Sequence, residues 1–228
     1  MRKFSPHLEV LPPVQRRLWQ ELGQVPSEFT LYGGTAIALH LGHRQSVDFD
    51  FFGNRPFDPS ELRAAIPFLA DARVRQNERN TLTAILNREG GVSVSFFGVP
   101  NLPRLLSPLI SDDNGLKVAS LLDLAGTKAS VVQVRPEKKD YLDLDVMITK
   151  GGITLPMALT AAQALYGASF NPQITLKALS YFGDGNLQQL PEDAKARLVT
   201  AARNVDLDHL PSLDRLIRER AREHDLGL

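Results

Sequence analysis

The pattern of apolar and polar positions predicts a strand, a turn and a helix near the start of the chain. Phe29–Tyr32 is a short apolar run, and two glycines interrupt it before strong helix formers fill residues 35–41. Adjacent glycines at the start of a helix let a bulky oxyanion approach the unpaired backbone N–H groups there. We therefore predict a phosphate site at Gly33 and Gly34, where the helix starts.

Alternation continues after this helix, between positions 46 and 51. Successive side chains of a strand point to opposite faces of the sheet. The polar set is Ser46, Asp48 and Asp50, and the apolar set is Val47, Phe49 and Phe51. We predict that the apolar face packs into a core and that the polar face borders a cleft.

The two aspartates are candidate metal ligands. Two carboxylates about 5 Å apart repel by roughly 3 kcal/mol at an effective dielectric constant of about 20, so a fold that holds them together needs a cation nearby. Mg²⁺ prefers such oxygen ligands and often shares them with substrate phosphates. A solvated edge strand with two surface aspartates is the alternative, but the order of glycine turn, helix and alternating aspartates favours a site.

Composition excludes several other kinds of site. With 228 residues and 43% hydrophobic content, the chain can bury a full core as one domain or two small ones. It has no cysteine, which excludes disulfides and thiolate metal sites and suits a reducing cytoplasm. We find no apolar leader and no run long enough to cross a bilayer, so we expect a soluble cytoplasmic protein without membrane contact.

Charge gives no global sign of nucleic-acid binding. The chain has 26 basic and 26 acidic side chains and a formal net charge of zero. A local basic groove stays open, because four arginines follow a predicted hairpin: Arg73, Arg75, Arg79 and Arg88. The interpretation that we favour for this run is solvated surface of mixed charge.

Several segments resemble the nucleotidyltransferase AbiEii/AbiGii toxin family, within the DNA polymerase beta-like nucleotidyltransferase superfamily. They are GGTAIAL from Gly33, HRQSVDFDFF from His43, GVSVSFFGVP from Gly91, VASLLDLAGTKASVV from Val118, KKDYLDLDVMI from Lys138 and ALSYFGDG from Ala178. These segments span most of the chain. The resemblance implies an α+β fold, with a mixed sheet flanked by helices and a helical C-terminal half.

The resemblance also implies an enzyme that transfers a nucleoside monophosphate from a nucleoside triphosphate to an acceptor and releases pyrophosphate. The implied nucleotide-binding residues are Gly33, Gly34, Thr35, Ser46 and Lys128, and the implied ligands of Mg²⁺ or Mn²⁺ are Asp48 and Asp50. Such a transfer asks the protein mainly to position reactants and to neutralise charge, so it needs no covalent nucleophile.

Two later helices place charged residues among apolar ones. Lys128 lies on an apolar stripe, where its ammonium either passes the core edge into water or contacts the triphosphate. We favour the contact, and expect Lys128→Ala to abolish transfer with little loss of stability. In the next helix, Asp140 is either the N-cap or part of the site, and similarity to the family motif gives Asp143 a catalytic role.

One position departs from the family pattern. Where relatives commonly have a third carboxylate on a neighbouring strand, this chain has Ser95. A serine cannot act as a general base. Either the reaction depends less on a base, or another carboxylate reaches the site through folding, with Glu78, Asp140 and Asp143 as candidates.

These observations divide the chain into a nucleotidyltransferase core with an N-terminal helix, residues 1–115, and a mainly helical region, residues 116–228, that completes the cleft. Our hypothesis is the toxin-type component of a toxin-antitoxin or phage-defence system, with RNA or tRNA as the acceptor and an antitoxin encoded nearby. Two alternatives remain: transfer to a protein or small molecule, and a non-catalytic nucleotide-binding module, because Ser95 replaces the third carboxylate.

Overall fold

The computed structural model describes residues 2–225, with side chains to residue 219. The described chain forms two compact units. The sheet unit runs to Pro103 and includes Ser107–Ser120, and the helical unit consists of Arg104–Leu106 and the chain from Leu121 onward. The sheet unit therefore extends five residues past position 115, at which the sequence analysis divided the chain.

The described residues of the sheet unit form an eight-stranded mixed sheet. The strands are β1 (Lys3–Phe4), β2 (Phe29–Tyr32), β3 (Phe49–Gly53), β4 (Arg73–Glu78), β5 (Thr81–Leu86), β6 (Val92–Gly98), β7 (Leu109–Ser111) and β8 (Lys117–Val118). Their spatial order is β1-β7-β8-β2-β3-β6-β5-β4. β3 therefore lies in the interior of the sheet, antiparallel to β2 and parallel to β6.

The register of these strands aligns four polar residues in one row. Asp50 of β3 lies opposite Tyr32 of β2 and Ser95 of β6. Ser95 lies opposite Thr83 of β5, and Thr83 lies opposite Gln76 of β4. Because directly paired residues point to the same face of a sheet, these side chains share one face.

The opposite face of the same strands is core. Phe49, Phe51, Val94 and Phe96 are fully buried. The rings of Phe51 and Phe96 stack with their centroids 5.1 Å apart. The predicted core face is thus confirmed for Phe49 and Phe51 and wrong for Val47, which is exposed because it lies before the start of β3.

Three α-helices belong to the described part of the sheet unit: α1 (Pro13–Trp19), α2 (Gly33–Leu41) and α3 (Pro59–Ala65). The predicted N-terminal helix is short because it begins at Pro13, a residue suited to the first helical position and unsuited to the interior. Helix α2 begins at Gly33, two residues before the start predicted from sequence. It ends at Leu41 and is followed by the C-cap residue Gly42, which has a left-handed backbone conformation.

The helical unit contains α4 (Leu121–Val131), α5 (Lys138–Thr149), α6 (Leu155–Tyr166), α7 (Pro172–Ala178), α8 (Glu192–Arg203) and α9 (Leu213–Asp225). Helices α4 and α6 pack closely at Gly126, where a Cβ atom would lie 2.9 Å from the carbonyl carbon of Ala161. Arg197 of α8 donates hydrogen bonds of 2.8 and 2.7 Å to the two carboxylate oxygens of Asp145 in α5. Each helix in the described chain is too short or too polar to span a bilayer.

Candidate active site

The bend between β2 and α2 lies directly against Asp50. Gly33 has a φ angle of 75°, in the left-handed region that favours glycine. A Cβ atom placed on Gly33 would lie 3.2 Å from Oδ2 of Asp50. Glycine is therefore needed here for two reasons: the backbone conformation and the close approach of the carboxylate.

The start of α2 is open to an anion. Its N-cap residue is Tyr32, whose side chain makes no capping hydrogen bond, and the first turn contains no acidic residue. The first N–H groups of a helix have no partner within the helix, and the helix dipole adds partial positive charge. Gly33 and Gly34 are half-buried, so phosphate oxygens can reach these N–H groups.

Buried hydroxyl groups join α2 to the loop before β3. The Thr35 hydroxyl donates a hydrogen bond to the backbone carbonyl of Asp48. Because its single hydrogen is used there, the Ser46 hydroxyl donates to Oγ1 of Thr35 across 2.7 Å. Both hydroxyl groups therefore fix the position of Asp48. The Thr35 hydroxyl has no hydrogen left to donate to an anion, so the donor that remains on Thr35 is its backbone N–H.

Asp48 and Asp50 flank a fully buried phenylalanine, Phe49, at the start of β3. Asp48 is exposed and Asp50 is half-buried. In the described chain, the Asp48 carboxylate forms neither a hydrogen bond nor an ion pair. Two accessible carboxylates next to the start of α2 fit a hard divalent cation such as Mg²⁺.

Ser95 occupies the position on β6 that faces Asp50 in the register. Its side chain is buried, and its hydroxyl accepts a long hydrogen bond of 3.4 Å from Thr83. A hydroxyl group here adds no negative charge and cannot take up a proton at neutral pH. The sheet face that carries Asp50 and Ser95 is called the site face below. Beside Asp50 it has a serine at the position where the sequence analysis looked for a third carboxylate.

Glu78 does not supply that carboxylate. It lies on β4, which β6 and β5 separate from β3, and its side chain is exposed. Adjacent strands are about 4.8 Å apart, so three strand spacings place it roughly 14 Å from β3. Over residues 2–219, no group of three or more His, Cys, Asp or Glu side chains is arranged to hold a metal ion.

Lys128 and Asp143 meet inside the helical unit. The Lys128 ammonium lies 2.8 Å from Oδ2 of Asp143 and 2.5 Å from Oδ1 of Asp140. Lys128 is 5% exposed and the two aspartates are fully buried. The alternative that the ammonium passes into water is therefore wrong, because two buried carboxylates bind it instead.

Arg135 completes this cluster, and the sequence analysis did not identify it. Its guanidinium donates hydrogen bonds of 2.8 and 2.9 Å to the two carboxylate oxygens of Asp140. Asp140 is not the N-cap of α5, since that position is Glu137 and the helix begins at Lys138. Arg135 precedes the helix and shares no periodic pattern with Asp140. The sequence alone therefore gave no sign that the two residues form an ion pair.

The residue after Asp140 has an altered acidity. Burial raises the pKa of the Tyr141 phenol to about 12, and the negative charges of Asp140 and Asp184 contribute in the same direction. A phenol in this setting keeps its proton at neutral pH. Tyr141 therefore carries no charge of its own beside the buried ion pairs.

Comparison with known proteins identifies related sequences. The model of a family described as "Nucleotidyl transferase AbiEii toxin, Type IV TA system" matches residues 17–219. An uncharacterized protein of Aquifex aeolicus (strain VF5) is 33% identical over 169 residues, which are 73% of this chain and 79% of that protein.

Two solved structures share the fold. A crystal structure from H. pylori, provisionally assigned as a nucleotidyltransferase, has a TM-score of 0.54 at 15% identity and covers 91% of this chain and 94% of that chain. MenT4, the nucleotidyltransferase toxin Rv2826c from Mycobacterium tuberculosis H37Rv, has a TM-score of 0.57 at 14% identity and covers 92% and 89%. The predicted fold class, a mixed sheet with flanking helices and a helical C-terminal half, is confirmed.

Proposed function

Since the chain belongs to the nucleotidyl transferase AbiEii toxin family of type IV toxin-antitoxin systems, we propose that it transfers a nucleoside monophosphate from a nucleoside triphosphate to RNA, in particular tRNA. The chain is a nucleotidyltransferase, and its family implies an antitoxin partner, which we propose is encoded nearby. The observation that carries the proposal is the contact between the Asp50 carboxylate and the Gly33 bend at the start of α2. It brings the proposed metal ligand and the proposed phosphate site within a few ångströms of each other.

The bend is proposed to bind the triphosphate. Gly33 and Gly34 let phosphate oxygens approach the backbone, and the N–H groups of the first turn of α2, including that of Thr35, donate hydrogen bonds to them. Ser46 serves this site indirectly, because its hydroxyl fixes the Thr35 side chain. The triphosphate then lies along the helix start with its α-phosphate towards Asp50.

Asp48 and Asp50 are proposed to hold Mg²⁺ or Mn²⁺. When bound, the cation neutralises charge on the phosphates and on the departing pyrophosphate. The hydroxyl pair of Thr35 and Ser46 keeps Asp48 in place. The pairing of β3 with β2 and β6 keeps Asp50 in place.

In the transfer, the acceptor hydroxyl oxygen forms a bond to the α-phosphorus while the bond from that phosphorus to the bridging oxygen breaks. Pyrophosphate leaves with the electron pair, and the hydroxyl proton passes to solvent. Ser95 does not act as a base in this scheme, so the protein contributes mainly positioning and charge neutralisation. The scheme thus follows the alternative raised by Ser95, in which the transfer reaction depends less on a general base.

Lys128 and Asp143 are proposed to serve the same reaction. An ammonium group has three N–H donors, and two of those of Lys128 are directed at Asp140 and Asp143. We propose that the third donates a hydrogen bond to a phosphate oxygen. Asp143 acts through Lys128 in this proposal, because it holds the ammonium in position.

RNA is favoured over a protein acceptor by the side chains next to Asp50. Phe52 and Phe97 pair on the face that carries Asp50 and Ser95, and both rings are half-buried. Partly exposed aromatic rings stack on nucleic-acid bases without regard to sequence. A protein hydroxyl would make no comparable use of them.

The acceptor can be identified by following the label from an α-labelled nucleoside triphosphate. Purified protein and Mg²⁺ are incubated with total RNA and, separately, with total protein. Label in RNA supports the proposal, and label in protein alone supports the other acceptor class. Pyrophosphate release with label in neither fraction indicates a small-molecule acceptor, and nucleotide binding without pyrophosphate release indicates a non-catalytic module.

Matched variants connect this reaction to the site. Asp50→Asn removes the charge of the proposed metal ligand with little change in shape, and it should abolish incorporation. Asp71→Asn makes the same change at an exposed aspartate of the sheet unit and should retain full incorporation. Equal activity of the two variants would exclude Asp50 from the site.

A further inference from the structure

We propose that the site face of the sheet binds the single-stranded end of the RNA acceptor along a track from Asp50 to the arginines of β4. The acceptor track consists of Ser95, Thr83, Gln76, Arg73, Arg75 and Arg79. This inference rests on the proposed function, because it assigns a binding surface to the same substrate. All its residues belong to the sheet unit.

The sheet register builds the first part of the track. From Asp50, the paired positions across β6, β5 and β4 are Ser95, Thr83 and Gln76. The Ser95 hydroxyl and the Gln76 amide can each donate a hydrogen bond to a phosphate or a base, and the Thr83 hydroxyl, which donates to Ser95, can accept one. At about 4.8 Å per strand, the row extends roughly 14 Å from Asp50, a distance that a few nucleotides can span.

A row of aromatic rings accompanies these polar side chains. Phe52 lies two residues after Asp50 on β3, and Phe97 lies two residues after Ser95 on β6. Their ring centroids are 4.9 Å apart. Tyr32 packs edge-on against Phe52 at 5.4 Å. A polar row beside half-buried rings suits a single strand, whose bases stack on the rings while its backbone takes hydrogen bonds.

The outer end of the track is basic. Arg73 and Arg75 lie on β4 and Arg79 lies in the turn after it, and all three are exposed. Within the described chain, these three arginines form no ion pair. Exposed guanidinium groups without a carboxylate partner can bind phosphate in bidentate fashion.

The other arginine of the same sequence run is different. Arg88 donates two hydrogen bonds to Glu21, so its charge is already compensated. On β4, the acidic residue is Glu78. Over residues 71–79, three arginines against Asp71 and Glu78 leave an excess of one positive charge at this edge, which complements a polyanion.

Edge strands have a simpler reason to carry charge. Charged side chains and bulges on an edge strand hinder pairing with another sheet, and β4 has an irregularity at Arg75, between Val74 and Gln76. That role involves no RNA and no row of donors leading to Asp50. The two roles therefore predict different effects of removing the arginines. RNA binding predicts a higher KM for RNA, and edge protection predicts self-association.

A charge-removal variant tests the track: Arg73→Gln, Arg75→Gln and Arg79→Gln combined. Its control removes three exposed positive charges from the helical unit, by Lys150→Gln, Arg203→Gln and Arg218→Gln. For each protein, KM for RNA, KM for the nucleoside triphosphate and kcat are measured at several salt concentrations. Thermal unfolding and sedimentation establish that both variants are folded and show their association state.

We expect the track variant to raise KM for RNA by about tenfold or more and to weaken its salt dependence. KM for the triphosphate and kcat should match those of the control. A dinucleotide acceptor, too short to reach β4, should be labelled equally by all three proteins. Single-stranded DNA serves as a competitor: equal competition by DNA and RNA indicates backbone recognition through the same track.

An unchanged KM for RNA in the track variant would overturn the inference and leave the proposed function intact. Self-association of that variant with unchanged KM would assign the arginines to edge protection instead. If the unaltered protein labels no RNA at all, the proposed function fails and the track fails with it. These outcomes are distinguishable because the unaltered protein, the track variant and the control are assayed together.

Discussion

The ammonium nitrogen of Lys128 lies 2.8 Å from Oδ2 of Asp143 in the interior of the helical unit. Asp140 accepts a second hydrogen bond from the same ammonium, and both carboxylates are fully buried. Charges removed from water are tolerated only while their partners are present. Loss of one partner should therefore destabilise the helical unit, whatever the cluster contributes to the reaction.

Lys128→Ala should lower the free energy of unfolding by about 3–5 kcal/mol, because it leaves two buried carboxylates without their shared cation. This differs from the expectation from sequence, which placed the ammonium in contact with the triphosphate and predicted little loss of stability. Urea unfolding measures the change. Lys177→Ala, which removes an exposed lysine of α7, is the control and should cost less than about 0.5 kcal/mol.

Removing the pair together should cost less than removing Lys128 alone. In Lys128→Met/Asp143→Leu, Asp140 keeps its two hydrogen bonds from Arg135, and no buried charge is left alone. A double-mutant cycle by urea unfolding should give a coupling energy of about 2 kcal/mol or more. Additive effects of the two single substitutions would show that the pair does not stabilise the protein.

The contrast between the two clusters explains what the sequence could predict. The glycine bend, α2 and the alternation around Asp50 are local patterns, each set by neighbours within a few positions, and they could be identified directly. The cluster at Lys128 joins two helices through residues 12 and 15 positions apart. Its lysine could be noticed as a cation on an apolar stripe, but its partners depend on tertiary packing.

Strand register sets a similar limit. Asp50, Ser95 and Thr83 form one row only because β3 pairs with β6 and β6 pairs with β5. Alternation predicted the face of Asp50 and Ser95, but no local pattern specifies which residues lie side by side. Glu78 illustrates the point, since it was a candidate for the missing carboxylate and lies at the far edge of the sheet.

Gly33→Ala should abolish nucleotide transfer. Alanine at a positive φ costs about 1–2 kcal/mol, and the new Cβ would also press on Oδ2 of Asp50 at 3.2 Å. Gly115→Ala is a matched control, because Gly115 has a φ of 76° and nothing within 4 Å of the added carbon. Both variants should lose similar stability in thermal unfolding, and only Gly33→Ala should lose activity.

Equal loss of activity in the two glycine variants would mean that destabilisation alone explains the effect. Retained activity in Gly33→Ala would contradict the role of the bend in binding the triphosphate. Equilibrium binding of a nonhydrolysable triphosphate provides the direct measurement for both proteins.

Tyr141 should make the stability of the protein fall at high pH. Its pKa is about 12 in the folded protein and about 10 in an unfolded chain. The unfolded state therefore loses its proton first, so the stabilisation is complete below about pH 10 and is lost as the pH rises towards about 12. The contribution is on the order of 2 kcal/mol.

Comparison with Tyr141→Phe isolates this effect from all other groups that titrate in the same range. The free energy of unfolding of the two proteins, measured in urea from pH 8 to pH 11.5, should converge as the pH rises, since phenylalanine has no proton to lose. Parallel curves over the whole range would show that the folded environment does not retain the phenolic proton.

Ser95→Asp should make the stability of the protein depend on divalent metal. The new carboxylate would lie beside Asp50 in the parallel pair of β3 and β6. At a separation of about 5 Å, two carboxylates repel by roughly 3 kcal/mol at an effective dielectric constant of about 20. We therefore expect a lower melting temperature without Mg²⁺ and a larger rise on adding Mg²⁺ than in the unaltered protein, because a cation that binds only the folded state stabilises it.

Ser95→Asn separates charge from shape in this experiment. It replaces the hydroxyl by a group close in size to aspartate but adds no negative charge, so it should show no enhanced response to Mg²⁺. If thermal unfolding over a Mg²⁺ titration gives the same curves for both variants, position 95 does not face Asp50, and the metal site cannot lie on this face of the sheet. A response confined to Ser95→Asp would place the cation between β3 and β6, where the third carboxylate of relatives is expected.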